Sequence, residues 1–397
     1  MSVQNSFAGA ALRFTVMKSE IIAEIASGVS AIDAAQWDAL NNGNPFISHA
    51  FLSTLENSGS VGGRSGWSPT PILIRDTGGA LSGALPAYLK SHSQGEYVFD
   101  HHWADAYERA GGQYYPKLQI AAPFSPVPGP RLLLRDPSLA PHLLAAAEAV
   151  VQQNGLSSAH ATFVEETQLD AFRAADWLIR TGTQFHWRND DYADFEGFLG
   201  ALSSRKRKAI RKERAGANAA VEIQILTGGE ITREHWDAFW VFYQDTGARK
   251  WGQPYLSRAF FDQIGAAQDG KGMGDAVVLF LALIDGHPVA GALNFVGPDC
   301  LYGRYWGCAL DVPFLHFELC YYRAIEYAIE HGLARVEAGA QGEHKLARGY
   351  VAVPTYSAHY IADPGFRRAI ADFLVREQAA VAREIEFLGE MAPFKRG

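Results

Sequence analysis

One structural plan occurs twice in this chain of 397 residues, and that repeat limits the folds open to it. The first pass reads Ile72-Leu73-Ile74-Arg75-Asp76, a turn at Gly78-Gly79, then an apolar stretch over 81–89. The second reads as strand over 281–285, a turn at Gly286, then a stretch over 289–296. Ser82-Gly83-Ala84-Leu85 in the first pass answers Ala290-Gly291-Ala292-Leu293 in the second. Each pass continues through an aromatic-rich segment into a helix that ends on Gly-Leu, at Gly155-Leu156 and Gly332-Leu333. Each helix then feeds a short strand, over 159–164 and 335–339. A repeat of this length implies two related domains, read as 14–184 and 185–397, and clefts of such domains are where ligands gather.

Strand–strand–strand–helix–strand order in the second half predicts an α/β fold with an antiparallel meander and a crossover, not strict alternation. The helix predicted over 194–214 places Phe195, Phe198, Leu199, Leu202 and Ile210 on one face. Its far end carries Arg205, Lys206, Arg207, Lys208, Arg211, Lys212 and Arg214, where cations complement a helix C-terminus. This run is a candidate site for phosphates or a nucleic acid such as tRNA, with a solvated face as the alternative. The net charge of −8 argues against nucleic-acid affinity over the whole surface and leaves room for such a local patch. The longest apolar run, 276–284, is too short for a bilayer, which takes about 20 residues. Cys300, Cys308 and Cys320, with no export signal, read as reduced thiols of a cytoplasmic protein.

The second repeat is dense in reactive side chains. Glu337, Gln341, Glu343, His344, Lys345 and Arg348 crowd a segment that begins where a strand ends, the usual place for ligands in open α/β sheets. A carboxylate at Glu337 is costly to bury unless paired. Lys345 and Arg348 lie one helical turn apart and form a candidate anion clamp. Alternation on the strand over 300–307 puts Tyr302, Arg304 and Trp306 on one face and Tyr305 on the other. With His316 on the next helix, these residues read as a pocket wall, or as an aromatic core with hydrogen-bonded tips. The first repeat has a counterpart in His101, Trp103, Tyr107 and Lys117. Its adjacent histidines, His101 and His102, point to opposite sides of an extended chain, so no metal site is read there.

Arg304-Tyr305-Trp306-Gly307-Cys308, the run His316-Phe317-Glu318-Leu319-Cys320-Tyr321-Tyr322 and the 337–349 segment together resemble a bacterial family of N-acyltransferases described as FemAB-like, a peptidoglycan biosynthesis/recognition group. Asp100-His101-His102-Trp103 and Tyr114-Tyr115-Pro116-Lys117 in the first half resemble it too. The resemblance implies two tandem GNAT-like domains with mixed, largely antiparallel sheets. It also implies transfer of an acyl or aminoacyl group from a thioester or ester to an amine, in the cleft of the C-terminal domain. Such chemistry needs a proton acceptor and donors for the oxyanion. Glu337 or Glu343 is the first choice of base, then His344, with His316 beside them. Lys345, Arg348, Gln341, Arg304, Trp306 and Tyr305 would bind the donor, and His101, Trp103, Tyr107 and Lys117 the acceptor. The glycine signature that cradles acetyl-CoA is missing before the central helix, where 310–315 stands instead. Acyl-CoA, acyl carrier protein and aminoacyl-tRNA all stay open as co-substrates. The competing reading is a non-catalytic module that recognises a cell-wall or other polyanionic ligand.

Overall fold

The computed structural model describes residues 11–16, 19–251, 254–265, 273–339 and 342–395. In chain order, strands β1 (Ala11–Val16) and β2 (Ser19–Ile25) precede helices α1 (Ala34–Asp38) and α2 (His49–Asn57). Strands β3 (Trp67–Pro69), β4 (Ile72–Arg75), β5 (Leu81–Leu85) and β6 (Ala87–Lys90) follow, then α3 (His101–Arg109), β7 (Lys117–Ile120) and β8 (Leu133–Leu134). Helix α4 (Ala140–Gln153), β9 (Ser158–Val164), α5 (Leu169–Ala174) and β10 (Leu178–Arg188) lead to α6 (Phe195–Ala201) and α7 (Ser204–Ala220). Next come β11 (Glu222–Thr227), α8 (Arg233–Trp251), α9 (Arg258–Ile264), β12 (Val277–Ile284), β13 (His287–Val296) and β14 (Cys300–Cys308). Helices α10 (Leu315–Phe317) and α11 (Arg323–Glu330), β15 (Arg335–Glu337), β16 (Val351–Ile361) and α12 (Pro364–Glu390) complete the order.

Contacts divide the chain into two compact units, Met1–Gly182 with Thr355–Ala382, and Thr183–Pro354 with Arg383–Gly397. The sequence reading cuts the chain once, near residue 184. The structure returns Thr355–Ala382 to the first unit, because Tyr356 to Ile361 of β16 pair antiparallel with β9.

In the first unit, β4 and β5 form the expected hairpin. Asp76 Oδ1 accepts from the amides of Gly78 and Ala80 at 2.9 and 3.0 Å and closes its turn. The strand predicted over 81–89 is two strands. Pro86, which has no amide hydrogen to give a ladder, separates β5 from β6. β5 stays in the sheet ordered β1-β2-β4-β5-β8, while β6 pairs with β3 and β7. Helix α4 buries Leu143, Leu144, Ala147 and Val150 in one core with Ile72, Ile74, Leu118 and Ala159. β7 runs parallel to β9 from Leu118 to Ile120 and then leaves it. The space beyond is taken by the chain itself. The fully buried guanidinium of Arg131 donates to the carbonyls of Thr162 (2.7 Å), Val127 (2.8 Å) and Pro130 (3.1 Å).

In the second unit the strands are ordered β11-β12-β13-β14-β15-β10. β12 to β14 form the predicted antiparallel meander, β11 adds antiparallel to β12, β15 joins β14 in parallel, and β10 closes antiparallel on β15. One face packs under the helix that runs from α10 through a π-helical turn at Glu318–Tyr322 into α11. The other face meets α8 so closely that a side chain at Gly307 would lie 2.2 Å from the Phe242 carbonyl oxygen. The helix predicted over 194–214 is broken. Asp194 caps α6 by accepting from the Gly197 amide at 2.7 Å, Leu202 and Ser203 are extended, and α7 begins at Ser204. The cationic run therefore opens α7 instead of closing a helix, where the dipole opposes it. Each unit has the mixed, largely antiparallel α/β architecture read from the sequence.

Candidate functional site

β14 and β15 pair for three residues only, Cys300 to Tyr302 against Arg335 to Glu337. Beyond that point the two strands part. Cys300, Leu301 and Tyr302 are buried, yet Gly303, Arg304, Tyr305 and Trp306 regain partial exposure, as do Ala338 and Gly339 opposite. A crevice opens between parallel strand ends in the second unit.

A bulge shapes its wall. On β13 the successive residues Leu293 and Asn294 face Tyr305 and Gly303 of β14, so Arg304 is the extra residue. The bulge reverses the alternation predicted for this strand. Trp306 lies on the face of the α10–α11 helix, its ring 5.2 Å from His316. Tyr305 lies on the opposite face, 5.4 Å from Tyr243 of α8. The Arg304 guanidinium sits 5.2 Å from the Tyr305 ring.

The 337–350 segment does not act as one cluster. Lys345 and Arg348 lie on the turn over Glu343–Arg348, and both are buried. Lys345 Nζ donates to the Gly339 carbonyl at 2.9 Å, at the end of the crevice. Burial pulls its amine down to about 8; the charge of Cys320 opposes that fall and Arg304 adds to it. Arg348 is no free anion clamp. It donates to the His344 carbonyl at 2.8 Å and to Glu213 at 3.0 Å, and lies 3.4 Å from the centre of the Phe317 ring. His344 is exposed and shares a 2.8 Å hydrogen bond with the Tyr321 hydroxyl, and its ring lies 6.2 Å from that of His316. Gly342 precedes it at φ 121°, where a side chain would strike the His344 ring. Burial pushes the Tyr321 phenol up, so it stays protonated.

Glu337 points elsewhere. It pairs across the sheet with Tyr302 and His186, on the face opposite Leu301 and Val336, which pack under the helix. Its carboxylate accepts from Arg335 at 3.1 Å, and His186 Nε2 stands 3.9 Å away. The structure thus brings His316, His344, Trp306 and Lys345 together around the crevice and sets Glu337 on the other side of the sheet. Gln341 and the side chain of Glu343 lie outside the described residues.

The basic helix is partly structural. Arg214 donates to Glu318 and Glu326, at 3.0 and 2.8 Å, and Arg211 pairs with Glu196. Arg205, Lys208 and Lys212 remain exposed.

In the first unit, Lys117 is fully buried. Its ammonium donates to Ser93 and Glu96 at 2.8 Å and to Asp100. Asp100 also accepts from Tyr114 at 2.6 Å, and Tyr114 reaches His160, which meets His359 at 2.7 Å. Burial holds His160 down at about 3 and His359 well below its usual range, so this chain is neutral at the histidines. Trp103 packs against His359 and Tyr107 stacks on Phe366, while His101 is exposed. Lys117 thus forms part of a buried core network, a role its spacing in the sequence does not reveal.

Two residues of the second unit escape the sequence reading. Glu213 hides within a cationic run. Asn294 falls in phase with core residues Ala290 and Ala292, and a polar residue at a core position was the available signal.

The fold is similar to that of FemX, with a TM-score of 0.53 at 14% identity, covering 86% of this chain and 98% of that one. It is similar to L-PGS from Bacillus licheniformis at 0.51 and 10%, covering 86% and 97%. A tandem GNAT protein from the clavulanic acid biosynthesis pathway aligns at 0.45 and 14% identity, over 86% and 99%. No curated protein sequence matches the chain. Among the described residues no helix is long and apolar enough to cross a membrane. The FemAB-like family, described as peptidoglycan biosynthesis/recognition, matches residues 28–396, and the chain belongs to it.

Proposed function

We propose that the protein transfers an acyl or aminoacyl group from an activated thioester or ester to an amine, in the crevice of the second unit. The observation that carries this reading is the parting of β14 and β15 beside the buried ammonium of Lys345. An amine nitrogen attacks the carbonyl carbon, and the negative charge gathers on the carbonyl oxygen. Lys345, protonated below about pH 8 and bound to a single carbonyl, has hydrogens left to donate to that oxygen. His344 takes the proton from the attacking nitrogen, with the Tyr321 hydroxyl and His316 orienting it. The C–S or C–O bond then breaks, and the proton returns to the leaving sulfur or oxygen. Glu337 is not the base in this reading, since Arg335 holds it on the far face. Exposed Arg205 and Lys208 in the first turns of α7, with exposed Lys212 further along it, support a polyanionic donor such as aminoacyl-tRNA. The family description supports a peptidoglycan precursor as the source of the amine.

The test is a screen of acyl-CoA and aminoacyl-tRNA donors against primary amines. The expected result is amide formation that Lys345→Met and His344→Gln abolish and Glu337→Gln retains. Turnover that survives both of the first two changes, or ligand binding with no turnover for any donor, overturns the reading.

A further inference from the structure

We infer that Asn294 is the residue that receives the N–H of the attacking amine. The inference rests on the acyl-transfer reading and deepens it, by naming where the acceptor's nitrogen sits.

Asn294 lies on β13 opposite Gly303, at the level where β14 and β15 separate. It is 1% exposed. Its Nδ2 donates to two main-chain carbonyls, of Ala292 at 3.2 Å and Val278 at 3.4 Å, which fixes the amide's orientation. The oxygen, Oδ1, then points the other way and has no hydrogen-bond partner among the described residues. It points toward Gly303: a side chain there would begin 3.4 Å from Oδ1, 3.6 Å from the Glu337 carbonyl and 3.7 Å from Ala338. Those are the atoms at the vertex of the crevice. Gly303 has an ordinary negative φ, so what its missing side chain provides is space and not conformational freedom.

A buried amide oxygen left unmatched costs free energy unless a donor reaches it. Partly exposed Gly303, beside which β14 and β15 separate, is the side from which a ligand's donor would reach it. An amine suits it chemically. One N–H held by Oδ1 leaves the nitrogen lone pair free to turn toward the carbonyl carbon. A neutral amide oxygen also does not favour the ammonium form as a carboxylate would, so the nucleophile stays unprotonated. Asn294 binds and aims the amine, and the proton leaves through the groups on the rim.

The full chain is titrated with glycinamide at mildly alkaline pH, reading the Asn294 Nδ2 and Ala338 backbone amide signals by NMR. N,N-dimethylglycinamide, whose neutral amine has no N–H, is the control. Glycinamide is expected to shift both signals and the dimethyl compound to leave them in place. Asn294→Ala removes the oxygen and is expected to weaken glycinamide about tenfold, the worth of one hydrogen bond. Gly303→Ala keeps every hydrogen bond of Asn294 but fills the approach to its oxygen. It is expected to weaken glycinamide equally with an unchanged melting temperature, which separates blocked binding from misfolding. Equal shifts with both compounds, or native affinity in both variants, overturn the inference. Amide formation without the glycinamide shift keeps the transferase and discards the role of Asn294. The shift without turnover of any donor keeps the amine site and discards the transferase.

Discussion

The guanidinium of Arg348 lies over Phe317, 3.4 Å from the ring centre, and ties the turn bearing His344 and Lys345 to the helix bearing His316. Its other contacts, to the His344 carbonyl and to Glu213, need a planar fork of donors. Arg348→Lys keeps the charge and loses both the stack and the fork. The expected outcome is a loss of about 1–2 kcal/mol in urea unfolding, with kcat falling more than KM rises.

Lys345 gives a pH signature. Burial lowers its amine from 10.5 to about 8, so between these values the unfolded chain holds more protons than the folded one. Stability contributed by this group therefore rises with pH across that window. The folded state carries a cost of roughly 3 kcal/mol below pH 8, gone above 10.5. Lys345→Met removes the cost, so its stability relative to the native chain is expected to be highest below pH 8 and to decline toward 10.5. Its turnover is expected to drop by about a hundredfold or more, as for the loss of an oxyanion donor.

Glu318 sits fully buried between Arg214 and Arg323, each within 3.0 Å. Glu318→Leu leaves Arg214 and Arg323 sharing Glu326 alone, which meets each at 2.8 Å. A loss of about 1–3 kcal/mol is expected in chemical denaturation, since a buried hydrogen-bonded partner is lost but neither guanidinium is left unpaired. The double change Arg214→Met with Glu318→Leu is expected to recover part of it.

In the first unit, burial raises the Glu96 carboxyl from 4.5 to about 7, although Lys117 opposes the rise. A raised carboxyl contributes stability below its unfolded value and loses it as pH climbs through the folded one. The native chain is expected to weaken between pH 4.5 and 7 on this account. In Glu96→Gln that decline is expected to vanish from the melting-temperature profile. Asp100, held low by Lys117 against its own burial, acts with the opposite sign and remains in both chains.

If α7 grips a polyanion, its exposed residues carry the affinity. Arg205→Glu with Lys208→Glu is expected to weaken tRNA binding and to flatten its dependence on salt by about two phosphate contacts. Arg211→Glu is expected to do less to binding, because Glu196 already occupies that side chain.

The duplication, the meander and the central helices were legible because hydrophobic runs and Gly-bounded turns report them directly. Breaks in regularity were not. Pro86 divides a strand that its apolar neighbours make look continuous. The break at Leu202 and Ser203 leaves the apolar spacing of 195–210 intact, so periodicity gave no warning. The bulge at Arg304 depends on pairing with a different strand, which no local pattern encodes. In the site, the crowding of polar residues after Glu337 drew the reading to a segment whose Lys345 and His344 lie beside the crevice. Which side of the sheet each residue serves follows from strand register, and that placed Glu337 apart from Lys345.

The crevice opens where two main chains draw apart after Tyr302 and Glu337. An aperture of that kind survives sequence drift. Trp306, His316 and their neighbours can be exchanged one at a time while the gap persists. Descendants of such a chain can therefore change what they accept without passing through a form that has nowhere to hold it.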